Sequence, residues 1–147
     1  MTIAVIDVGF QGVDKAPAFE KLRKEGRLLA GYDFVGKTDN IFTRDQHGTR
    51  VLSTMASNLE DSIIGTAPDA SYHLFITDDP DTEGPLEEAL WVEAAERADS
   101  LGVDVINAST GYGGPSFPYD NPAYEYTTAD MDGKTTFIAR GANIACE

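Results

Sequence analysis

Segments with the pattern of short buried strands alternate with segments patterned as helices along almost the whole chain. The strand candidates are residues 2–7, 27–36, the two parts of 62–77 that flank a turn at Ala67-Pro68, and 103–109. The helix candidates are residues 16–26, 48–58, 86–102 and 135–147. Such alternation is typical of βαβ units with right-handed crossovers. The 147 residues therefore predict one α/β domain with a doubly wound, mostly parallel sheet and helices on both faces.

Polar residues follow three of the predicted strands at their carboxyl ends. Asp7 closes TIAVID, Thr77 to Asp79 follow YHLFI, and Asn107 to Gly111 follow VDVI. In open α/β sheets, ligands bind and chemistry takes place at the carboxyl ends of the strands. We therefore expect the functional site at this edge of the sheet.

Asp7 and His47 are the two side chains that most suggest catalysis. Alone, Asp7 is explained as a cap of the turn DVGFQG, and His47 as a surface residue that precedes a helix. Together they indicate more. The N-terminus of a helix favours the neutral imidazole, and a buried carboxylate at a neighbouring strand end supplies the acceptor that fixes its tautomer. The pair predicts a general base with its orienting acid.

Four motifs resemble those of the subtilisin-like serine proteases, the subtilases. They are IAVIDVG (3–9), HGTRV (47–51), GTAPDA (65–70) and GVDVINASTG (102–111), in the order and with spacing similar to that of the family. The resemblance implies that Asp7 orients the histidine and that His47 is the general base. It also implies that Ser109, Thr110 and Gly111 form the strand edge where an extended polypeptide substrate pairs by main-chain hydrogen bonds.

The nucleophile motif of the family is missing from this sequence. No serine follows Gly-Thr, and Asn143, the one candidate for the oxyanion-hole amide, lies inside a helical pattern. We therefore expect residues 1–147 to be a partial subtilisin-like peptidase domain, inactive alone, whose partner is the C-terminal half of the catalytic domain. Two alternatives stay open: a non-catalytic peptide-binding or decayed relative, and a doubly wound regulatory or nucleotide-binding domain in which Asp7 is a phosphoacceptor.

Charge and residue usage exclude several other functions. With 11 Lys and Arg against 25 Asp and Glu, the formal charge of −14 argues against nucleic-acid binding. No apolar run reaches the ~20 residues of a membrane span. Two histidines and the single Cys146 make a zinc site unexpected, and His73, in mid-strand, is expected to be a packed or an edge histidine. The resemblance implies an extracellular or periplasmic location, which the chain itself does not indicate.

Two loops carry less specific signals. An acidic cluster follows the strand YHLFI; its members are Asp78, Asp79, Asp81 and Glu83. It is typical of a solvated loop, while calcium is the alternative, although no specific calcium motif is present. No cofactor is required by the expected chemistry. The long loop 110–134 is rich in aromatic residues, which either wall the substrate cleft or fold on their own core; they are Tyr112, Phe117, Tyr119, Tyr124 and Tyr126.

Overall fold

A four-stranded parallel sheet forms the centre of the molecule. The computed structural model describes residues 1–114 and 118–146. The strands are β1 (Thr2–Asp7), β2 (Tyr32–Asp33), β3 (Asn58–Leu59), β4 (Ile63–Ile64), β5 (Ser71–Ile76) and β6 (Val105–Ala108). The helices are α1 (Glu20–Lys24), α2 (His47–Ala56), α3 (Pro85–Ser100) and α4 (Phe137–Ala145), with short 3₁₀ segments at Pro17–Phe19, Pro122–Tyr124 and Thr128–Asp130.

The sheet order is β2-β5-β1-β6, and every neighbouring pair in it is parallel. β3 and β4 form a separate antiparallel pair. The register matters for the site. Asp7 lies opposite Ile76, and Ile6 lies opposite Ala108. The carboxyl ends of β5, β1 and β6 therefore stop at the same level, side by side.

Alternate residues of β1 pack into two cores, one on each face of the sheet. Ile3 and Val5 belong to the cluster that includes Leu52 of α2. Ala4 and Ile6 belong to the other cluster, with Trp91 and three alanines of α3. Successive side chains of a strand point to opposite faces, so a strand covered on both sides is apolar throughout, as TIAVI is. The prediction of an α/β fold with helices on both faces is confirmed.

The second strand candidate is mostly wrong. Of residues 27–36, only Tyr32–Asp33 pairs as a strand, with an isolated bridge between Leu28 and Tyr72. The chain turns after Asp33 because its side chain accepts from the Gly36 backbone N–H at 2.7 Å, an Asx-type turn that competes with the ladder.

The predicted helices are present, with shifted ends. The segment 16–26 divides into a 3₁₀ turn and the short α1, and it ends at Gly26, whose φ is +67°. Helix 86–102 begins at Pro85, ends at Ser100, and is followed by Gly102 with φ +71°. Glycine adopts this left-handed conformation without a steric cost, which is why it stops helices. Within residues 1–114 and 118–146, no helix has the length and hydropathy needed to cross a bilayer.

Candidate active site

Asp7 and His47 are in contact at the carboxyl-end edge of the sheet. Asp7 ends β1 and is fully buried, whereas His47 begins α2 with 47% of its side chain exposed. His47 Nδ1 and Asp7 Oδ1 are 2.8 Å apart. An ionised carboxylate can only accept a hydrogen bond, so this contact puts the ring proton on Nδ1 and leaves Nε2 as an acceptor. The structure brings together the two residues that the sequence pairs.

Gly48 allows the start of α2 to come this close to the end of β1. A Cβ at position 48 would lie 2.5 Å from the carbonyl oxygen of Gly9 and 2.9 Å from the Cβ of Asp7. Both distances are shorter than van der Waals contact, so any larger residue would push the helix away. The His47 backbone N–H donates to Asp45 Oδ1 at 2.6 Å, which satisfies a free donor of the first turn. The His-Gly dipeptide thus positions the imidazole over Asp7.

Burial dominates the electrostatics of Asp7. Desolvation raises the pKa of its carboxyl group, and the hydrogen bonds from His47 and from the Val8 backbone N–H (2.8 Å) partly oppose that rise. Both bonds end on Oδ1. Among the residues that the structure describes, none donates to Oδ2. The ionised form of Asp7 therefore depends on the imidazole for most of its compensation.

A cavity of about 200 Å³ opens beside His47 and contains the predicted substrate-binding segment. The three residues of this segment, Ser109, Thr110 and Gly111, all line it. Pairing between β6 and β1 brings them there. No backbone–backbone hydrogen bond joins residues 109–111 to another described part of the chain, which leaves these backbone groups for an extended partner.

Carboxyl side chains contribute the other polar lining of this cavity. They are Asp78, Asp79, Glu83 and Glu87. The prediction of a solvated acidic loop is wrong for Asp78, which is only 8% exposed and accepts a hydrogen bond from the Tyr112 hydroxyl at 2.6 Å. Burial raises the pKa of Asp78 to about 6 and that of Glu87 to about 7.

The positions of these acidic residues in the sequence indicate ordered side chains, although composition alone does not. Asp78 follows β5 at the carboxyl-end edge, where Asp7 also lies. Glu87 stands three residues after Gly84, the spacing of a capping box, and accepts from the backbone N–H groups of Asp79 (2.9 Å) and Gly84 (3.3 Å). In the described part of the chain, no three His, Cys, Asp or Glu side chains are arranged to hold a metal ion. Calcium, the alternative for this loop, stays untested.

Some aromatic residues of the loop 110–134 line the cavity beside His47, and others contact different parts of the protein. Tyr112 lines the cavity. Tyr119 and Tyr126 instead donate their hydroxyls to Glu88, a carboxylate of α3 that is 1% exposed. Tyr124 is largely exposed. The prediction for Phe117 lies outside the described residues, which exclude 115–117.

Comparison with known proteins gives one family match and a set of structural matches. The model of the subtilase family, peptidase S8, matches residues 1–144. A similar solved structure is the crystal structure of MycP1 with the N-terminal propeptide removed, at 25% sequence identity and a TM-score of 0.58. The match covers 75% of this chain and 31% of that chain, so the present chain spans less than a third of its length. No curated protein matches.

Proposed function

The chain belongs to the subtilase family of serine peptidases, and on this premise we propose that Asp7 and His47 are its orienting carboxylate and general base. The observation that carries the proposal is the 2.8 Å contact between His47 Nδ1 and the fully buried Asp7. A histidine held in one tautomer in the lining of an open cavity has the geometry that a general base requires.

The proposed reaction is hydrolysis of a peptide bond through an acyl-enzyme. A serine hydroxyl attacks the substrate carbonyl carbon while Nε2 of His47 takes the hydroxyl proton, and the imidazolium then gives that proton to the leaving amine. Water enters, loses a proton to His47 and releases the acid product. Asp7 stabilises the imidazolium in both halves of the reaction. Side chains supply all of this chemistry, so the proposed reaction needs no cofactor.

We propose that the nucleophile and the oxyanion-hole amide come from outside these 147 residues, in the C-terminal half of the catalytic domain. No serine in the sequence follows Gly-Thr. In the parts of the chain described, the ring of His47 hydrogen-bonds to Asp7 and to no serine. Without a nucleophile, a peptidase of this type loses about 10⁶ in kcat. The isolated chain is therefore expected to be inactive.

The edge of β6 is the proposed attachment site for that missing half. β6 pairs with β1 on one side only, within the described sheet. Val105 on this strand is 46% exposed, and a cavity of about 500 Å³ lies between β6 and α4. An unpaired edge strand beside apolar side chains is a surface that further strands can extend.

The proposed substrate is a polypeptide in an extended conformation. Residues 109–111 border the His47 cavity and make no backbone pairing with other described residues, so they can form main-chain hydrogen bonds with a substrate strand. Family membership is also the basis for proposing that the protein acts outside the cytosol.

A serine-reactive fluorophosphonate probe tests this proposal. We would label the 147-residue chain and, separately, the product of the same reading frame extended downstream of codon 147. We expect labelling of the extended protein only, its loss in His47→Ala, and its retention in Arg50→Ala, a change at an exposed position of α2.

Two results would contradict the proposal. Labelling of the 147-residue chain would mean that one of its own serines is activated. An extended protein that stays unlabelled but binds peptides would favour a non-catalytic peptide-binding relative, for which the absence of backbone pairing at 109–111 among the described residues is the specific support.

A further inference from the structure

A hydrogen-bonded chain links the proposed substrate-binding segment to the end of β5. The Tyr112 hydroxyl donates to Asp78 Oδ1 at 2.6 Å, and the hydroxyls of Tyr112 and Thr110 are 2.9 Å apart. The Tyr112 hydroxyl has one proton, and the hydrogen bond to the ionised Asp78 carboxylate uses it. Thr110 is therefore the donor to Tyr112. The chain runs in one direction, from Thr110 through Tyr112 to Asp78.

This series of hydrogen bonds is the one hydrogen-bonded connection from residues 109–111 to another element in the described structure. β6 ends at Ala108. The other side-chain bond of the segment is local, from Ser109 Oγ to Asn107 Oδ1 at 3.4 Å, and its backbone has no described partner. A segment that leaves the sheet with free backbone groups loses conformational entropy when a substrate orders it. Hydrogen bonds that order the segment before the substrate binds reduce this loss of conformational entropy.

Asp78 is well placed to accept the last hydrogen bond of this series. It lies two residues after Ile76, which pairs with Asp7, so its backbone is fixed by the same sheet that fixes the catalytic pair. Its side chain is 8% exposed and also accepts from Thr77 Oγ1 at 3.2 Å. Hydrogen bonds to an ionised, buried acceptor are shorter and stronger than neutral ones.

We propose that Asp78 is a positioning residue: acting through Tyr112, it holds Thr110 and its neighbours in the extended register that a substrate strand needs beside His47. The inference rests on the proposed function and adds to it a residue that acts through another side chain. Its effect is on substrate affinity, since a pre-ordered edge strengthens binding of ground state and transition state alike.

The test uses the full 147-residue chain and a fluorescein-labelled neutral hexapeptide of alternating Ala and Ser, followed by fluorescence anisotropy. We expect Tyr112→Phe and Asp78→Ala each to weaken binding about tenfold, which corresponds to about 1.4 kcal/mol, and the double variant to be no weaker than either. Asp78→Asn keeps an acceptor oxygen and should restore most of the affinity. Asp81→Asn removes the same charge from an exposed position of the same loop and should have no effect.

Backbone ¹⁵N relaxation separates positioning from general destabilisation. In Tyr112→Phe, the order parameters of residues 109–111 should fall, while those of β1 stay high. Unchanged order parameters at 109–111 would overturn the inference, as would equal peptide binding by all variants. A wild-type chain that binds no peptide would contradict the proposed substrate edge and, with it, the role of Asp78. Peptide binding that is equal in the wild type and all variants would contradict the role of Asp78 alone.

Discussion

Replacement of Gly48 by alanine should separate the imidazole from its carboxylate. The new Cβ would lie 2.5 Å from the carbonyl oxygen of Gly9, 2.7 Å from a ring carbon of Phe10 and 2.9 Å from the Cβ of Asp7. To restore a contact of 3.4 Å with that carbonyl, the start of α2 must retreat by about 0.9 Å. The same shift would stretch the 2.8 Å bond between His47 and Asp7 beyond hydrogen-bonding distance.

The sign of the stability change follows from two opposing effects. Alanine favours a helix over glycine by at most about 1 kcal/mol, whereas overpacking of a buried contact costs about 1–3 kcal/mol. The carbonyl of Gly9 is backbone and the Phe10 ring is fully buried, so neither can rotate away. We expect a net loss of about 1–2 kcal/mol, or on the order of 2–8 °C in the unfolding midpoint.

Urea unfolding and NMR of a ¹⁵N-histidine-labelled chain measure both consequences. Only two histidines are present. The Nδ1–H resonance of His47 should disappear in Gly48→Ala, while that of His73, whose Nδ1 lies 2.6 Å from the Ala30 carbonyl oxygen, serves as an internal reference. Arg50→Ala, at an exposed position of the same helix, should change stability by less than about 0.5 kcal/mol. A Gly48→Ala chain of wild-type stability with an intact His47 resonance would refute the close approach.

Three further predictions concern buried carboxyl groups, and urea unfolding measures each. Because burial raises the pKa of Asp78 to about 6 and of Glu87 to about 7, the folded chain binds protons that the unfolded chain releases. Stability should therefore rise from pH 8 to pH 5, by about 1.4 kcal/mol for Asp78 and about 2.5 kcal/mol for Glu87, and Asp78→Asn should flatten the profile. Glu88→Ala leaves two tyrosine hydroxyls and a backbone N–H without their acceptor, and should cost on the order of 3 kcal/mol or more, against about 1–2 kcal/mol for Glu88→Gln. Arg44→Ala removes the ion pair of the buried Asp33, at 2.8 Å, and should cost about 3–5 kcal/mol; a loss below 1 kcal/mol would mean that water compensates Asp33.

The sequence predicts those parts of the site that depend on the sheet itself. The strands β1, β5 and β6 are short and mostly apolar, and the rule that carboxyl ends meet at one edge locates Asp7, Asp78 and residues 109–111 together. These features are local in the chain or follow from topology, so pattern and chain order suffice to find them.

Contacts between residues that are far apart in the sequence could not be predicted. Asp78 and Tyr112 are 34 residues apart, and Glu88 and Tyr126 are 38 apart. Neither pairing leaves a periodic or spacing signal. Composition therefore suggested a solvated loop where burial decides the chemistry. The second strand failed for a related reason, since the apolar content of RLLAGYDFVG matches a strand, but the Asp33 side chain turns the backbone after two paired residues.

In the proposed mechanism, the buried charge of Asp7 would strengthen its interaction with His47 as the reaction proceeds. A carboxylate with desolvation as its main electrostatic cost, and with Oδ2 unbonded among described groups, is poorly compensated by a neutral imidazole. Protonation of His47 on Nε2 converts that contact into an ion pair at 2.8 Å. In the proposed reaction the imidazolium forms as the hydroxyl proton of the nucleophile is transferred to Nε2, so the compensation arises as the transition state is approached and not in the ground state. An interaction that strengthens along the reaction lowers the barrier, whereas one equally strong throughout would only bind. The energetic cost of burying Asp7 at the end of β1 therefore supports the proposed catalytic role, since a turn cap alone would need no histidine.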